Sequence, residues 1–206
     1  DRLEVASWAC AAAATDGEIT VKGARLHDMT TFLNMFRKIG GDFWESKLGD
    51  VVFKRAETGR VLHSVALETD VHPGFMTDWQ QPFVLALTQA EGVSVIHETV
   101  YEDRFGYVGA LNAMGAQIQL YADCLGRTSC RFGTRGLKHS AVIVGPRKLN
   151  PMEITIPDLR AGFTYVIAAL LADGESRVNN IQLIQRGYEK FFDKLQSLGV
   201  KIKLVV

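Results

Sequence analysis

The chain has 206 residues, 47% hydrophobic and 22% charged, which suits a folded domain able to bury a sizeable core. Lys plus Arg and Asp plus Glu balance at 23 each, so no global field selects nucleic acid or a membrane surface as partner. No apolar run approaches the roughly 20 residues of a membrane span.

The first stretch, "DRLEVASWACAAAATDGE", carries acids and lacks a basic leader region, so it reads as a poor signal peptide and as an Ala-rich helix instead. Starting on Asp1 inside an apparent element, the chain is expected to be a piece of something longer. From Asp16 a pattern begins that recurs from Glu91 and from Asp173: an acid–Gly turn, a β-prone run, a helix closed by a glycine (Gly40, Gly115, Gly199), and then a strand. Each copy is preceded by a small-residue apolar helix, "WACAAAA", "WQQPFVLALTQA" or "FTYVIAALLA", with the composition of a buried element. The helices that follow are amphipathic. In "GYEKFFDKLQSLG" the apolar positions 188, 191, 192, 195 and 198 share one face, with Glu189, Lys190, Asp193 and Lys194 outside. The expected fold class is α/β, a single domain of three repeats at about 1–75, 76–155 and 156–206 with pseudo-threefold symmetry.

Between the second and third copies lies a basic stretch with Arg127, Arg131, Arg135, Lys138, Arg147 and Lys148. It holds one aromatic, Phe132, and reads as solvated hairpin loops more readily than as a nucleic-acid patch. Three cysteines, Cys10, Cys124 and Cys130, make an odd count, and no His pair stands near the last two at a zinc-finger interval. Reduced thiols in a cytoplasmic protein, with no metal site, are expected. His27, His63, His72, His97 and His139 show no nucleophile and no mutual spacing, and nucleophile-elbow, Walker A and dinucleotide-binding glycine motifs are absent, so no cofactor is expected.

If the copies stack threefold, their strand-to-helix corners converge on one end of the domain. Asp78 in "FMTDWQQ", Arg104 in "YEDRFGY", Asp158 and Arg160 in "IPDLRAG", and Arg186 in "IQRGYEK" all stand at such corners. The bland reading makes Asp158 a helix N-cap and pairs Arg104 with Glu102 or Asp103. The functional reading is an anion site, because guanidinium forks match carboxylate or phosphate, and acids among them can move protons.

At these corners the sequence resembles the enolpyruvyl transferases, and within them the C-terminal part of the UDP-N-acetylglucosamine 1-carboxyvinyltransferases, in register over essentially the whole chain. "FMTDWQQPF", "ETVYEDRFGYVGALNAMGA", "IPDLRAG" and "IQRGYEKFFDKLQSLGVKI" carry the likeness. The resemblance implies a fold of two similar domains, each of three βαβαββ units forming an inside-out α/β barrel, of which this chain is one. It implies transfer of the enolpyruvyl group of phosphoenolpyruvate to the 3-hydroxyl of UDP-N-acetylglucosamine. Asp78 is implied as base at that hydroxyl, Val100 (backbone) and Tyr101 (ring) as lining of the UDP-sugar site, and Arg104 and Arg160 as ligands of the phosphoenolpyruvate carboxylate. Arg186 is implied at the phosphate, and Asp158 in proton movement near the reacting carbon. Two departures stand out: Gln185 where the family usually has Asp before "RGYE", and Pro157–Gly162 where it commonly reads Thr-Asp-Leu-Arg-Ala-Ser. The family's mobile loop belongs to the other domain, so the chain alone is expected to be inactive. The rival readings are the sister transferase acting on shikimate 3-phosphate and a non-catalytic nucleotide-sugar-binding relative.

Overall fold

The computed structural model describes residues 1–126 and 130–204, Arg160 by its backbone alone. Three apolar helices, α1 (Arg2–Thr15), α3 (Thr77–Leu87) and α5 (Leu159–Leu171), pack against one another at the centre. Their sequences explain the position. Ten consecutive residues of α1, Val5 to Ala14, are buried, and six of them are alanines that let a neighbouring helix approach closely on any side. Trp8 meets Phe163 of α5 edge-on at 4.9 Å, while Trp79 and Phe83 of α3 close on Phe32 and Phe75 at 5.1–6.1 Å. Each fully buried aromatic of this kind contributes about 1.5–3 kcal/mol.

Around the triangle the first two repeats build the same sheet. In the first, β1 (Ile19–Val21), β2 (Gly41–Glu45) and β3 (Val51–Arg55) lie in the order β1-β3-β2, all antiparallel. In the second, β6 (Ala90–His97), β7 (Gln117–Tyr121) and β8 (Ser140–Gly145) repeat that order and sense as β6-β8-β7. The link between copies also recurs. β5 (Ala66–Glu68), at the end of the first unit, pairs parallel with β6, and β9 (Glu153–Thr155), at the end of the second, pairs parallel with β10 (Arg177–Asn179). The short β4 (Leu62–His63) adds a second parallel partner to the start of β6.

The outer helices are α2 (Thr30–Lys38), α4 (Val108–Ala113) and α6 (Phe191–Ser197), and the glycines that close them, Gly40, Gly115 and Gly199, all have φ between 80° and 107°, as their sequence positions predict.

Three local expectations are corrected. Glu91 and Gly92 lie inside β6, where Glu91 pairs with His63 of β4 and Gly92 with Gly145 of β8, so ladders take the place of a turn; in the first unit the left-handed residue is Asp16 and not Gly17. Tyr188, Glu189 and Lys190 precede α6, with Lys190 at φ 50°; Tyr188 instead stacks near Phe163 at 5.2 Å. After Gly199, residues 200–204 form no strand. In the first two units that strand pairs with the one following it, and no such partner lies among the described residues.

Candidate functional site

Asp78 and Arg104 meet. Asp78 occupies the first turn of α3, and Arg104 comes from the loop after β6, its Nη2 lying 2.5 Å from Asp78 Oδ1 and 3.1 Å from the Thr77 carbonyl. The guanidinium is 4% exposed and the carboxylate 33%, so the acid faces the open side of the pair. Neither neighbour expected for Arg104 is its partner: Glu102 pairs with Arg135 at 2.8 Å, because the loop turns its own acids outward. Tyr101 stands over the guanidinium, 5.5 Å from ring centroid to Cζ, and its ring is about half exposed. Arg104 Nε is buried with no hydrogen bond among the described residues.

The residue that builds this loop is Glu98, which the sequence did not single out. It follows β6 directly and is fully buried. Its Oε1 accepts the N–H groups of Val100 and Tyr101, each at 2.9 Å. Its Oε2 accepts Thr77 Oγ1 at 2.9 Å and Gln80 Nε2 at 3.1 Å. Gln80 Oε1 in turn accepts the Tyr107 hydroxyl at 3.0 Å. One carboxylate therefore ties the start of α3 to the backbone of the loop that presents Tyr101 and Arg104. Since Val100 N–H is engaged, its carbonyl is the backbone group it can offer a ligand.

The corner at α5 is adjacent. Asp158 caps the helix, accepting Ala161 N–H at 3.0 Å, so the bland reading of this acid is correct as far as it goes. Asp158 is also exposed at the helix mouth and makes a further contact there. Its charge reaches the buried Tyr165 phenol, whose pKa is raised first by burial and then by that carboxylate. Tyr107 is raised well above the ordinary phenol value by burial, opposed by Arg104 and reinforced by Glu98 and Tyr165. Tyr188 is raised by burial, pulled back by its hydrogen bond with Ser7, and pushed up again by Glu4 and Asp78. Through these influences Asp158 is felt at Tyr165, Tyr165 at Tyr107, and Asp78 at Tyr188. Arg160 sits in the first turn of α5, and its side chain lies outside the described residues, as does Arg127 of the basic stretch.

Arg186 ends a 3-10 helix, Ile181–Arg186, and is exposed. Two glycines seat that segment on α5. A Cβ at Gly162 would stand 2.5 Å from Ile184 Cγ1, and one at Gly187 would stand 2.6 Å from Leu159 Cδ1. The Gly162 departure from the family pattern thus permits this close seat. Gly162→Val is expected to destabilise by about 1–3 kcal/mol, a Tm fall of roughly 2–12 °C in a thermal melt, by pushing the Arg186 segment off α5. The exposed Gln185 lies in the same segment. Of the basic stretch, Arg135 and Lys148 are ion-paired, the latter to Asp173 at 2.7 Å, and Arg131 packs over Phe132 at 4.9 Å, which leaves a solvated surface in place of a patch.

A second group of side chains was missed altogether. Cys124, Cys130, His97 and His139 converge just beyond the β6–β8 ladder, although nothing in their sequence spacing announced it. Donors from Cys130 N–H and the His139 ring hold the Cys124 thiol down to about 6.

Comparison with known proteins agrees with the fold. The family model described as EPSP synthase (3-phosphoshikimate 1-carboxyvinyltransferase) matches residues 1–195. A UDP-N-acetylglucosamine 1-carboxyvinyltransferase of Protochlamydia amoebophila is 52% identical over the full chain, and one of Chlamydia abortus is 48% identical. The chain spans 43% and 46% of those relatives' lengths. The enolpyruvyl transferase NikO of Streptomyces tendae superposes with TM-score 0.80 at 24% identity, over 98% of this chain and 44% of its own. An EPSP synthase of Acinetobacter baumannii superposes with TM-score 0.65 at 18% identity, over 100% of this chain and 43% of its own. By a family model that matches nearly the whole chain, and by 48–52% identity to these relatives over the length of this chain, the chain belongs to the EPSP synthase family of enolpyruvyl transferases.

Proposed function

We propose that the protein carrying this chain transfers the enolpyruvyl group of phosphoenolpyruvate to the 3-hydroxyl of UDP-N-acetylglucosamine, releasing phosphate and committing the sugar to peptidoglycan. The observation that carries this is the identity over the whole of this chain, 48% and 52%, to two relatives that bear that activity's name. The chain would supply one wall of a cleft closed by a second, similar domain of the same protein, and would be inactive alone. As a cytoplasmic enzyme it would meet phosphoenolpyruvate where that metabolite is made.

The chemistry asks for an acid–base pair among cations, and the corners supply one. The sugar oxygen adds to the carbon bearing the phosphate ester while its proton passes to Asp78, which Arg104 holds at the mouth of α3. A proton reaches the methylene carbon of phosphoenolpyruvate and leaves it again as phosphate departs, with Asp158 as the group near that carbon. Arg104 and Arg160 would grip the substrate carboxylate and Arg186 its phosphate, with Val100 and Tyr101 against the UDP-sugar. No cofactor or metal takes part in this scheme.

The test is phosphate release by the full-length protein from phosphoenolpyruvate with UDP-N-acetylglucosamine or with shikimate 3-phosphate, beside Arg186→Ala. Release only with the UDP-sugar, lowered about 10²–10³-fold in the variant, is expected. Release with shikimate 3-phosphate would move the protein to the sister reaction. No release with either would make it a binding relative, with Gln185 the first residue to restore to Asp.

A further inference from the structure

Away from the Asp78–Arg104 pair, His97 poses a problem of its own. It is fully buried, and neither ring nitrogen makes a hydrogen bond among the described residues. A buried polar group left so costs about 1–3 kcal/mol, and native proteins rarely leave one without a reason. Around this ring stand Cys124, Cys130 and His139, one ligand atom from each of the four lying within 4.8 Å of all the others.

The separations are those of a coordination shell. Zinc–sulfur bonds of about 2.3 Å and zinc–nitrogen bonds of about 2.0–2.1 Å in a tetrahedron put S···S near 3.8 Å and S···N near 3.6 Å. Cys124 Sγ lies 3.6 Å from Cys130 Sγ and 3.3 Å from His139 Nε2. The cysteines are free thiols. The outer groups fit as well. His139 Nδ1 lies 2.6 Å from the Leu137 carbonyl, which orients the ring and leaves Nε2 toward the cysteines. Glu68 Oε2 stands 3.4 Å from His97 Nδ1, the carboxylate–histidine pairing that commonly supports a metal-ligating imidazole. Gly126 makes the approach possible, since a Cβ there would fall 2.1 Å from His97 Nδ1.

We propose that His97, Cys124, Cys130 and His139 form a structural Cys₂His₂ site for zinc. Two thiolates and two imidazoles in tetrahedral array select zinc over the oxygen-seeking cations, and four protein ligands leave no open position for chemistry. The site is a staple. His97 ends β6, and His139 immediately precedes β8, so the ion binds the long β7–β8 connection to the sheet through Cys124 and Cys130. Glu98, whose N–H donates to the His139 carbonyl at 2.7 Å, links the same spot to the Tyr101 loop.

The experiment is metal analysis of the full-length protein purified under reducing conditions without chelator, with cobalt substitution of the metal-free form. About one zinc per chain is expected, with the intense visible bands of tetrahedral cobalt–thiolate, both lost in Cys124→Ser/Cys130→Ser and kept in Cys10→Ser. The wild-type cobalt spectrum needs no variant, so a variant that fails to fold does not spoil the test. Wild-type protein that takes up neither ion overturns the proposal. So does a folded double-serine variant that still holds its zinc, or a Cys124–Cys130 disulfide recovered from cells in place of metal.

Discussion

Glu98→Ala in the full-length protein is expected to lower stability by about 3–6 kcal/mol, because four donors lose their acceptor at once: the buried one costs about 1–3 kcal/mol and the three part-buried ones, which water can reach in part, about 1 kcal/mol each. Two of those donors, Val100 N–H and Tyr101 N–H, are backbone groups that cannot turn away. The other two, from Thr77 and Gln80, anchor the first turn of α3. The expected Tm fall in a thermal melt is roughly 6–24 °C, and the free-energy loss is a large part of the stability of an ordinary domain. Glu98→Gln separates charge from space-filling. Its amide can serve one pair of donors through oxygen but presents N–H groups to the other, so about half of the loss should remain. Equal stability of Glu98→Gln and wild type would mean that shape alone, not acceptance on both oxygens, holds the loop.

On the proposed role of Asp78 as base, Asp78→Asn is expected to leave the fold in place and remove activity. The amide keeps a hydrogen-bond acceptor for Arg104 and fills the same space, but it cannot take a proton from the sugar hydroxyl. Loss of a general base costs about 10²–10⁴-fold in rate. Steady-state phosphate release should therefore show kcat reduced by that factor, with KM for the UDP-sugar changed only a few-fold. A variant with normal kcat and a raised KM for phosphoenolpyruvate would show that Asp78 serves only to position Arg104.

What was legible in the chain and what was not divides along physical lines. The three central helices declared themselves because burial on every side demands a run without charge, and "WACAAAA" can sit nowhere else. Gly40, Gly115 and Gly199 declared the ends of the outer helices because a left-handed residue there favours glycine locally. The corners followed from the repeat, and Asp78 with Arg104 is the pair that recurrence alone could not have matched, since the nearer acids in sequence were Glu102 and Asp103. Glu98 was invisible for a different reason. One acid at the end of a strand looks like any solvated residue until the strand's neighbours show that it points inward. The His97 cluster depends on register: His97 lies opposite Ser140 only because β6 and β8 pair across β7 in the chain. No spacing rule written for a short zinc finger describes ligands brought together by a sheet.

The parallel pairings β5–β6 and β9–β10 have a consequence for how such a molecule can be taken apart. Each unit's opening strand leans on the closing strand of the unit before it, as roof shingles overlap. A cut at either internal repeat boundary therefore strips a ladder from the piece downstream and bares an unpaired edge upstream, where another chain can add. The repeats are units of pattern without being modules of folding. Their cooperativity is written into the overlap, so the described residues are expected to lose structure together and not unit by unit.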